Sequence, residues 1–127
     1  MSAGEKIALL VEDEPLIAML GSSILRDLGY TVFEARTKGE ADKLLLNVGG
    51  FTLLFTDIEL ADGSSGVDLA FDVAQHHPTV TIVVTSGRCR PAALPVGALF
   101  MPKPYSDTRL QDAIATTIKM IAPPTSE

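Results

Sequence analysis

Acidic, hydroxyl and ammonium side chains stand just past the short apolar segments of this sequence. Glu12 and Asp13 follow the first segment, Asp57 the third, Ser86 the fourth and Lys103 the fifth. Carboxylates that converge are costly unless a cation binds them or one stays protonated, and carboxylates with room for water suit Mg²⁺. A cation, a hydroxyl and a lysine around one carboxylate can neutralise a phosphoryl group that this carboxylate has attacked. The residue types therefore indicate phosphoryl transfer to the central acid, Asp57.

Whether these side chains meet depends on how the apolar segments pair. The first segment, IALLV, is too short for a helix and apolar on both faces, as in a buried parallel strand. Strands are predicted over Ile7–Val11, Thr31–Ala35, Phe51–Thr56, Thr81–Thr85 and Ala98–Met101. Alternation with four or five amphipathic helices predicts a single-domain α/β fold, with a doubly wound parallel sheet in the flavodoxin-like order 2-1-3-4-5. Strands one and three are neighbours in that order, so the acids that follow them share one sheet edge.

The predicted helices have recognisable ends. Pro15 stands where the first turn of a helix tolerates proline. Thr37 and Ser106 are predicted N-caps of the second and the final helix. The stretch between strands four and five, residues 88–97, contains two prolines, so we expect the helix there, the fourth, to be shortened or lost.

The composition is typical of a folded domain, and the net negative charge argues against nucleic acid as a direct partner. The chain has 127 residues, 46% hydrophobic and 20% charged, with a net charge of −6. This length suits one domain at 6–122, with a leader at 1–5 and a tail at 123–127. A nucleic-acid backbone requires a basic face, so direct nucleic-acid binding is not expected. A single cysteine, Cys89, and no apolar run of about 20 residues predict a cytoplasmic protein without an internal disulfide or membrane insertion.

With these elements in place, the sequence resembles the receiver domain of two-component response regulators from about residue 6 to residue 121. The segments that carry the resemblance are LLVEDEP at Leu9–Pro15, LLFTDIEL at Leu53–Leu60, GVDLA at Gly66–Ala70, VVTSG at Val83–Gly87 and MPKPY at Met101–Tyr105. Each segment alone is weakly specific, whereas all five in this order at the strand ends are strongly specific. The resemblance implies a signalling protein rather than an enzyme, similar to the stand-alone chemotaxis regulators. A sensor histidine kinase or phosphotransfer protein would phosphorylate it, and the phosphorylated form would contact a downstream protein.

The resemblance also implies which residues bind the metal and the phosphoryl group. Asp57 would be the phosphoacceptor and a ligand of Mg²⁺, for which Mn²⁺ is an alternative. Asp13 would bind the ion directly, Glu12 through water and Glu59 through its backbone carbonyl.

Further residues would stabilise the phosphoryl group, transmit its presence and set its lifetime. Ser86 would donate a hydrogen bond to one phosphoryl oxygen, and Lys103, followed by a cis peptide bond to proline, would pair with another. Phe100 occupies the place of the aromatic switch residue that moves with this hydroxyl. Glu59 and Arg88 hold positions that tune the lifetime, and we expect them to form an ion pair.

Each of these residues also has an ordinary structural explanation. The acids after strand one could complement the dipole of the next helix, Ser86 could be a turn residue and Phe100 a core residue. A redox role for Cys89 is less expected than none, and His76 and His77 lack further ligands for a metal site. The central acid and the lysine together favour the functional interpretation of the first acids.

The sequence departs from the family pattern in two loops. Ala61 replaces a common proline, and the turn before Gly66 has one additional residue. The interval from Ser86 to Lys103 is short, so no standard dimer mode is transferred to this chain, although a homodimer stays open.

Other functions remain as alternatives. A phosphorylation-independent interaction module on the same scaffold would not require Asp13, Asp57, Ser86 and Lys103. A flavin-binding relative would need a phosphate loop after strand one, where three acids stand instead. An aspartyl phosphohydrolase would need a general acid for which Glu59 is a poor substitute. No output domain follows within this sequence, so we expect either a stand-alone regulator or a fragment of a larger one.

Overall fold

Five parallel strands form one sheet, and helices cover both of its faces. The computed structural model describes residues 5–88 and 90–121. The strands are β1 (Ile7–Val11), β2 (Thr31–Ala35), β3 (Leu53–Asp57), β4 (Thr81–Ser86) and β5 (Leu99–Pro102). The helices are α1 (Pro15–Asp27), α2 (Lys38–Asn47), α3 (Gly66–His76) and α4 (Asp107–Ile121). The strand order is β2-β1-β3-β4-β5, which confirms the predicted doubly wound α/β fold.

Strands β1, β3 and β4 are buried along their whole length and separate two apolar cores. Successive side chains of a strand point to opposite faces, so Leu54 packs under α2 and α3 while Phe55 packs under α1 and α4. Leu69 of α3 and Leu25 of α1 are fully buried in the two cores. Because both sheet faces are covered, polar groups of the central strands reach solvent only at the strand ends.

The predicted helix caps are present. Pro15 is the first residue of α1. The Thr37 hydroxyl accepts a hydrogen bond from the N–H of Glu40 at 3.1 Å, and the Ser106 hydroxyl accepts one from Arg109 at 3.2 Å. These bonds satisfy N–H groups that have no partner inside the first turn of a helix.

The helix expected between β4 and β5 is lost rather than shortened. Residues 87–88 and 90–98, the described part of this connection, contain bends and a turn but no helix. Leu94 and Ala98 pack against the core beneath α3, and Pro95 is buried, so a loop covers this part of the sheet. Cys89 lies outside the described residues.

Strand boundaries differ slightly from the predicted ones at β3, β4 and β5, and β4 ends one residue later than predicted, at Ser86. Phe51 is buried but precedes β3, because Gly49 and Gly50 turn the chain with positive φ angles just before it. The ladder of β3 extends through Asp57, and β5 starts one residue later than predicted. Residues 1–4 of the predicted leader, the whole predicted tail at 123–127 and the last predicted domain residue, 122, lie outside the described residues. Among the helices described, none has the length and apolar character to cross a bilayer.

Candidate functional site

Three carboxylates meet at the carboxyl edge of the sheet. Asp57 is the last residue of β3, and Glu12 and Asp13 follow β1, its hydrogen-bonded neighbour. One carboxylate oxygen from each residue lies within 4.8 Å of the others. Glu12 and Asp57 are buried, whereas Asp13 is partly exposed. The strand order thus brings together the acids that the sequence predicted would converge.

The Lys103 side chain enters this acidic cluster from the loop after β5. Its ammonium nitrogen Nζ lies 3.0 Å from Glu12 Oε1 and 3.1 Å from Asp57 Oδ2. The exposed carboxylate of Glu14 is a third and more distant partner, at 3.7 Å. The Lys103 backbone N–H donates to the Ser86 carbonyl at 2.8 Å, and the peptide bond to Pro104 is cis. One ammonium is therefore shared between two buried carboxylates.

The pKa shifts at the site follow from burial and from this sharing. Burial raises the pKa of the Glu12 carboxyl above its usual value, and the hydrogen bond from Lys103 only partly offsets the effect. Burial alone would lower the pKa of Lys103, but the hydrogen bond and charge of Glu12, followed by those of Asp57, leave it raised. The pKa of Glu12 is raised because burial outweighs the effect of the ammonium that it shares with Asp57, whereas the pKa of Lys103 is raised because two carboxylates surround its ammonium.

Ser86 is the buried last residue of β4. Its hydroxyl accepts a hydrogen bond from the N–H of Arg88 at 3.0 Å. Strand alternation places Ser86 on the same sheet face as Val84, and Val84 is the register partner of Phe100 on β5. Ser86 and the half-buried Phe100 thus share a face, whereas Thr85 points to the opposite one.

The expected contact between Glu59 and Arg88 is present at the rim of the site. Arg88 Nε lies 3.4 Å from Glu59 Oε2, and these side chains are 79% and 57% exposed. Such an exposed pair adds little stability, so its position matters more than its energy. It stands at the entrance to the Asp57 carboxylate.

The cluster opens into a cleft of about 380 Å³. Its lining consists of charged side chains and one glycine: Asp13, Glu14, Asp57, Glu59, Gly87, Arg88 and Lys103. A larger groove of about 770 Å³ lies between α1 and β2, but only its end reaches Glu12 and Asp13. The smaller cleft is therefore the candidate site, since its lining contains both Asp57 and Lys103.

The donor set fits a small divalent cation. Carboxylate oxygens are the protein ligands that Mg²⁺ prefers, and a partly open site leaves room for its water molecules. Glu12, Asp13 and Asp57 supply three such oxygens, and the partial exposure of Asp13 provides the opening. The residues present are thus compatible with the predicted Mg²⁺ site.

Two contacts of the site were not predicted from the sequence. Glu14 contacts Lys103, and its N–H donates to Glu12 Oε2 at 3.2 Å, which orients that carboxylate. Thr56, just before the central acid, donates from its hydroxyl to the Asp57 carbonyl at 2.9 Å. Neither contact has a sequence signal, because both depend on local backbone geometry.

Known sequences similar to this chain include response regulators. The family model described as the response regulator receiver domain matches residues 8–115. The chain is 34% identical over 113 residues to the phyllosphere-induced regulator PhyR of Methylorubrum extorquens, covering 87% of this chain and 42% of PhyR. It is 36% identical over 125 residues to the response regulator protein PilR of Pseudomonas aeruginosa, covering 94% of this chain and 28% of PilR. The chain thus spans less than half the length of these curated relatives.

Solved structures share the same architecture. The receiver domain of Erythrobacter litoralis PhyR, solved by NMR, superimposes with a TM-score of 0.82 at 26% identity, over 98% of both chains. A receiver protein from Sinorhizobium medicae superimposes with a TM-score of 0.85, over 95% of this chain and all of that one. Its identity is 22%, so this second likeness concerns the fold alone.

Proposed function

Because this chain belongs to the response regulator receiver domain family, we propose that it is a phosphorylation switch whose phosphoacceptor is Asp57. The observation that carries the proposal is the Lys103 ammonium held between the buried carboxylates of Glu12 and Asp57. A structural scaffold has no need for two buried acids around one lysine, whereas phosphoryl transfer needs a carboxylate with positive charge beside it. The partly exposed Asp13 completes the acidic cluster.

In the proposed reaction, a carboxylate oxygen of Asp57 attacks the phosphorus of a phosphohistidine. The donor is a sensor histidine kinase or a phosphotransfer protein. The new phosphorus–oxygen bond forms as the phosphorus–nitrogen bond breaks, and the bonding electrons leave with the imidazole. Asp13, Asp57 and the Glu59 carbonyl, with Glu12 acting through water, would hold a divalent cation, which would supply positive charge for the phosphoryl oxygens.

The remaining residues stabilise the product and transmit its presence. Lys103 exchanges its contact with the Asp57 carboxylate for one with a phosphoryl oxygen. Ser86 turns its hydroxyl from the Arg88 N–H, now 3.0 Å away, to another phosphoryl oxygen. Phe100, on the same sheet face, follows this movement and alters a surface that a downstream protein contacts. The protein acts in the cytoplasm, by protein contacts and without direct nucleic-acid binding.

The pair of Glu59 and Arg88 sets how long the phosphoryl group persists. Its position at the cleft entrance lets it restrict the approach of water to the acyl phosphate. Glu59→Ala and Arg88→Ala are each expected to change the dephosphorylation rate. Unchanged rates in both variants would contradict this role.

Intact-mass spectrometry after incubation with acetyl phosphate tests the central proposal. Wild-type protein should gain the mass of one phosphoryl group in the presence of Mg²⁺ and not in the presence of a chelator. Asp57→Asn should abolish the adduct, whereas Asp62→Asn, a matched change in the exposed loop after β3, should retain it. An adduct that persists in Asp57→Asn would contradict the assignment of the phosphoacceptor. A folded protein that neither binds Mg²⁺ nor forms an adduct would instead indicate a phosphorylation-independent interaction module.

A further inference from the structure

Gly66, the first residue of α3, touches the backbone of the central acid. A Cβ atom built on Gly66 would overlap the carbonyl oxygen of Asp57. It would also lie only 2.8 Å from the Asp57 carbonyl carbon and 2.8 Å from the Thr56 hydroxyl oxygen. Two of these three atoms are backbone, so no side-chain rotation can make room for a larger residue.

Conformational freedom does not explain this glycine. The φ angle of Gly66 is not positive, in contrast to those of Gly29 and Gly63. Alanine is a better helix former than glycine, and the backbone here is helical. Close approach to Asp57 is therefore the reason that remains for a glycine at this position.

Hydrogen bonds hold the same stretch of backbone from several sides. The Thr56 hydroxyl donates to the Asp57 carbonyl at 2.9 Å. The Gly66 N–H donates to the Ile58 carbonyl at 2.8 Å, and the Ile58 N–H donates to the Thr85 carbonyl at 3.0 Å. The path from Asp57 into Glu59 is thus fixed by its own strand, by β4 and by the start of α3.

From these contacts we infer that Thr56 and Gly66 are positioning residues of the site. They set the backbone between Asp57 and Glu59, so that the carboxylate of the first and the carbonyl of the second are directed to the same cation. This inference rests on the proposed function, because it assumes that a cation is bound there. Groups that orient metal ligands typically change metal affinity by about 10–100-fold when they are replaced.

Isothermal titration of the protein with Mg²⁺ alone, without a phosphodonor, provides the first test. Gly66→Ala is expected to weaken Mg²⁺ binding by about 10–100-fold, and Thr56→Val by about tenfold. Thr56→Ser keeps the hydroxyl and should stay within about twofold of wild type on the same scale. Gly39→Ala is the matched control, since a Cβ on Gly39 would lie at an ordinary 3.8 Å from the Thr37 hydroxyl oxygen.

Amide hydrogen exchange without metal provides a second and independent readout. In Gly66→Ala, exchange of the amide hydrogens at Ile58 and at residue 66 should accelerate. In Thr56→Val, exchange should accelerate at Ile58. In both variants the core strands should keep their protection. Gly39→Ala should leave both sites unchanged. If Gly66→Ala fails to fold, the comparison of Thr56→Val with Thr56→Ser decides the outcome.

The possible results separate this inference from the proposed function. Wild-type Mg²⁺ affinity in Gly66→Ala and Thr56→Val would overturn the inference and leave the phosphoacceptor assignment intact. An equal loss in Thr56→Ser and Thr56→Val would overturn the role of the hydroxyl. If the wild-type protein itself does not bind Mg²⁺, the proposed function fails. The positioning of the backbone is then decided by amide exchange alone, and unchanged exchange at Ile58 and residue 66 would overturn it.

Discussion

Replacing Lys103 with methionine should expose the electrostatic cost of the site. The variant removes the ammonium that lies 3.0 Å from Glu12 and 3.1 Å from Asp57. The side chains of these acids are only 2% and 8% exposed, so water cannot replace the lost charge. At an effective dielectric constant of about 20, each contact contributes roughly 5 kcal/mol of attraction before desolvation is subtracted. Two ionised carboxylates therefore cannot stay together in the variant without a large penalty.

Protonation of Glu12 sets a ceiling on that penalty. Burial already raises the pKa of this carboxyl above its usual value of 4.5. Protonating a carboxyl group costs about 1.4 kcal/mol for each pH unit by which the solution lies above its pKa. From 4.5 to pH 7 this cost amounts to about 3.5 kcal/mol. We therefore expect Lys103→Met to lower the free energy of unfolding by about 3 kcal/mol at pH 7. This value lies at the lower end of the range for breaking a buried ion pair.

The same reasoning fixes the sign of the pH dependence. A carboxyl whose pKa is raised in the folded state stabilises the protein below its unfolded-state pKa, and this contribution is lost as the pH rises through the folded-state pKa. The loss of unfolding free energy in Lys103→Met, relative to wild type, should therefore decrease from pH 7 to pH 5, to about 1 kcal/mol or less. Mg²⁺ at pH 7 should stabilise the variant more than the wild type, because a cation replaces the missing ammonium.

Urea unfolding followed by circular dichroism, with a chelator at pH 5 and pH 7, measures these effects. Lys43→Met is the control, since Lys43 is an exposed lysine of α2 that takes part in no ion pair among the described residues. Equal stability of Lys103→Met and wild type at pH 7 would refute the electrostatic argument. A deficit of the same size at both pH values would assign the loss to packing instead.

Three further changes test other parts of the structure. Burial raises the pKa of Tyr105 to about 12, so stability present below pH 10 should fall by up to about 3 kcal/mol between pH 10 and pH 12. Tyr105→Phe should remove most of that fall in urea unfolding, and an unchanged slope would contradict the assignment. Ser65→Ala removes the hydroxyl that caps α3 and should cost about 1 kcal/mol, with Ser65→Thr as the conservative control. Leu69→Ala empties a fully buried site and should cost about 2–5 kcal/mol, whereas a loss below about 1 kcal/mol would mean that the core refills the space.

The fold was predictable because the central strands are apolar on both faces. Ile7–Val11 is buried at every position, so its continuous apolar run had one consistent interpretation. Phe51 was harder to assign, because burial alone does not show that a residue belongs to a ladder. The two prolines between β4 and β5 indicated a weakened helix, but they could not show that Leu94 would fill the space beneath α3. Such a replacement depends on tertiary packing, which local patterns do not encode.

At the site, residue type and strand end together predicted where charges would meet. Glu12, Asp13 and Asp57 come together because parallel strands present their carboxyl ends at one edge. Thr56 and Gly66 were predicted only as parts of a strand and of a family motif. Gly66 lies nine positions beyond the central acid, and Thr56 is its chain neighbour, but the contacts of both with the Asp57 backbone become visible only in three dimensions.

Departures from local stability rules concentrate around the central acid, and this concentration is itself informative. Two buried carboxylates share one ammonium there, and a glycine begins a helix although alanine is intrinsically the better helix former. The Thr85 hydroxyl, on the register partner of Asp57, is buried without a hydrogen-bond partner within the described chain; on α1 the Ser22 hydroxyl is in the same situation. Proteins keep such costly features where activity requires them, and well-packed cores compensate for them elsewhere. Here the apolar cores on both sheet faces carry the stability that allows the carboxyl edge to keep its buried charges and an unpaired hydroxyl.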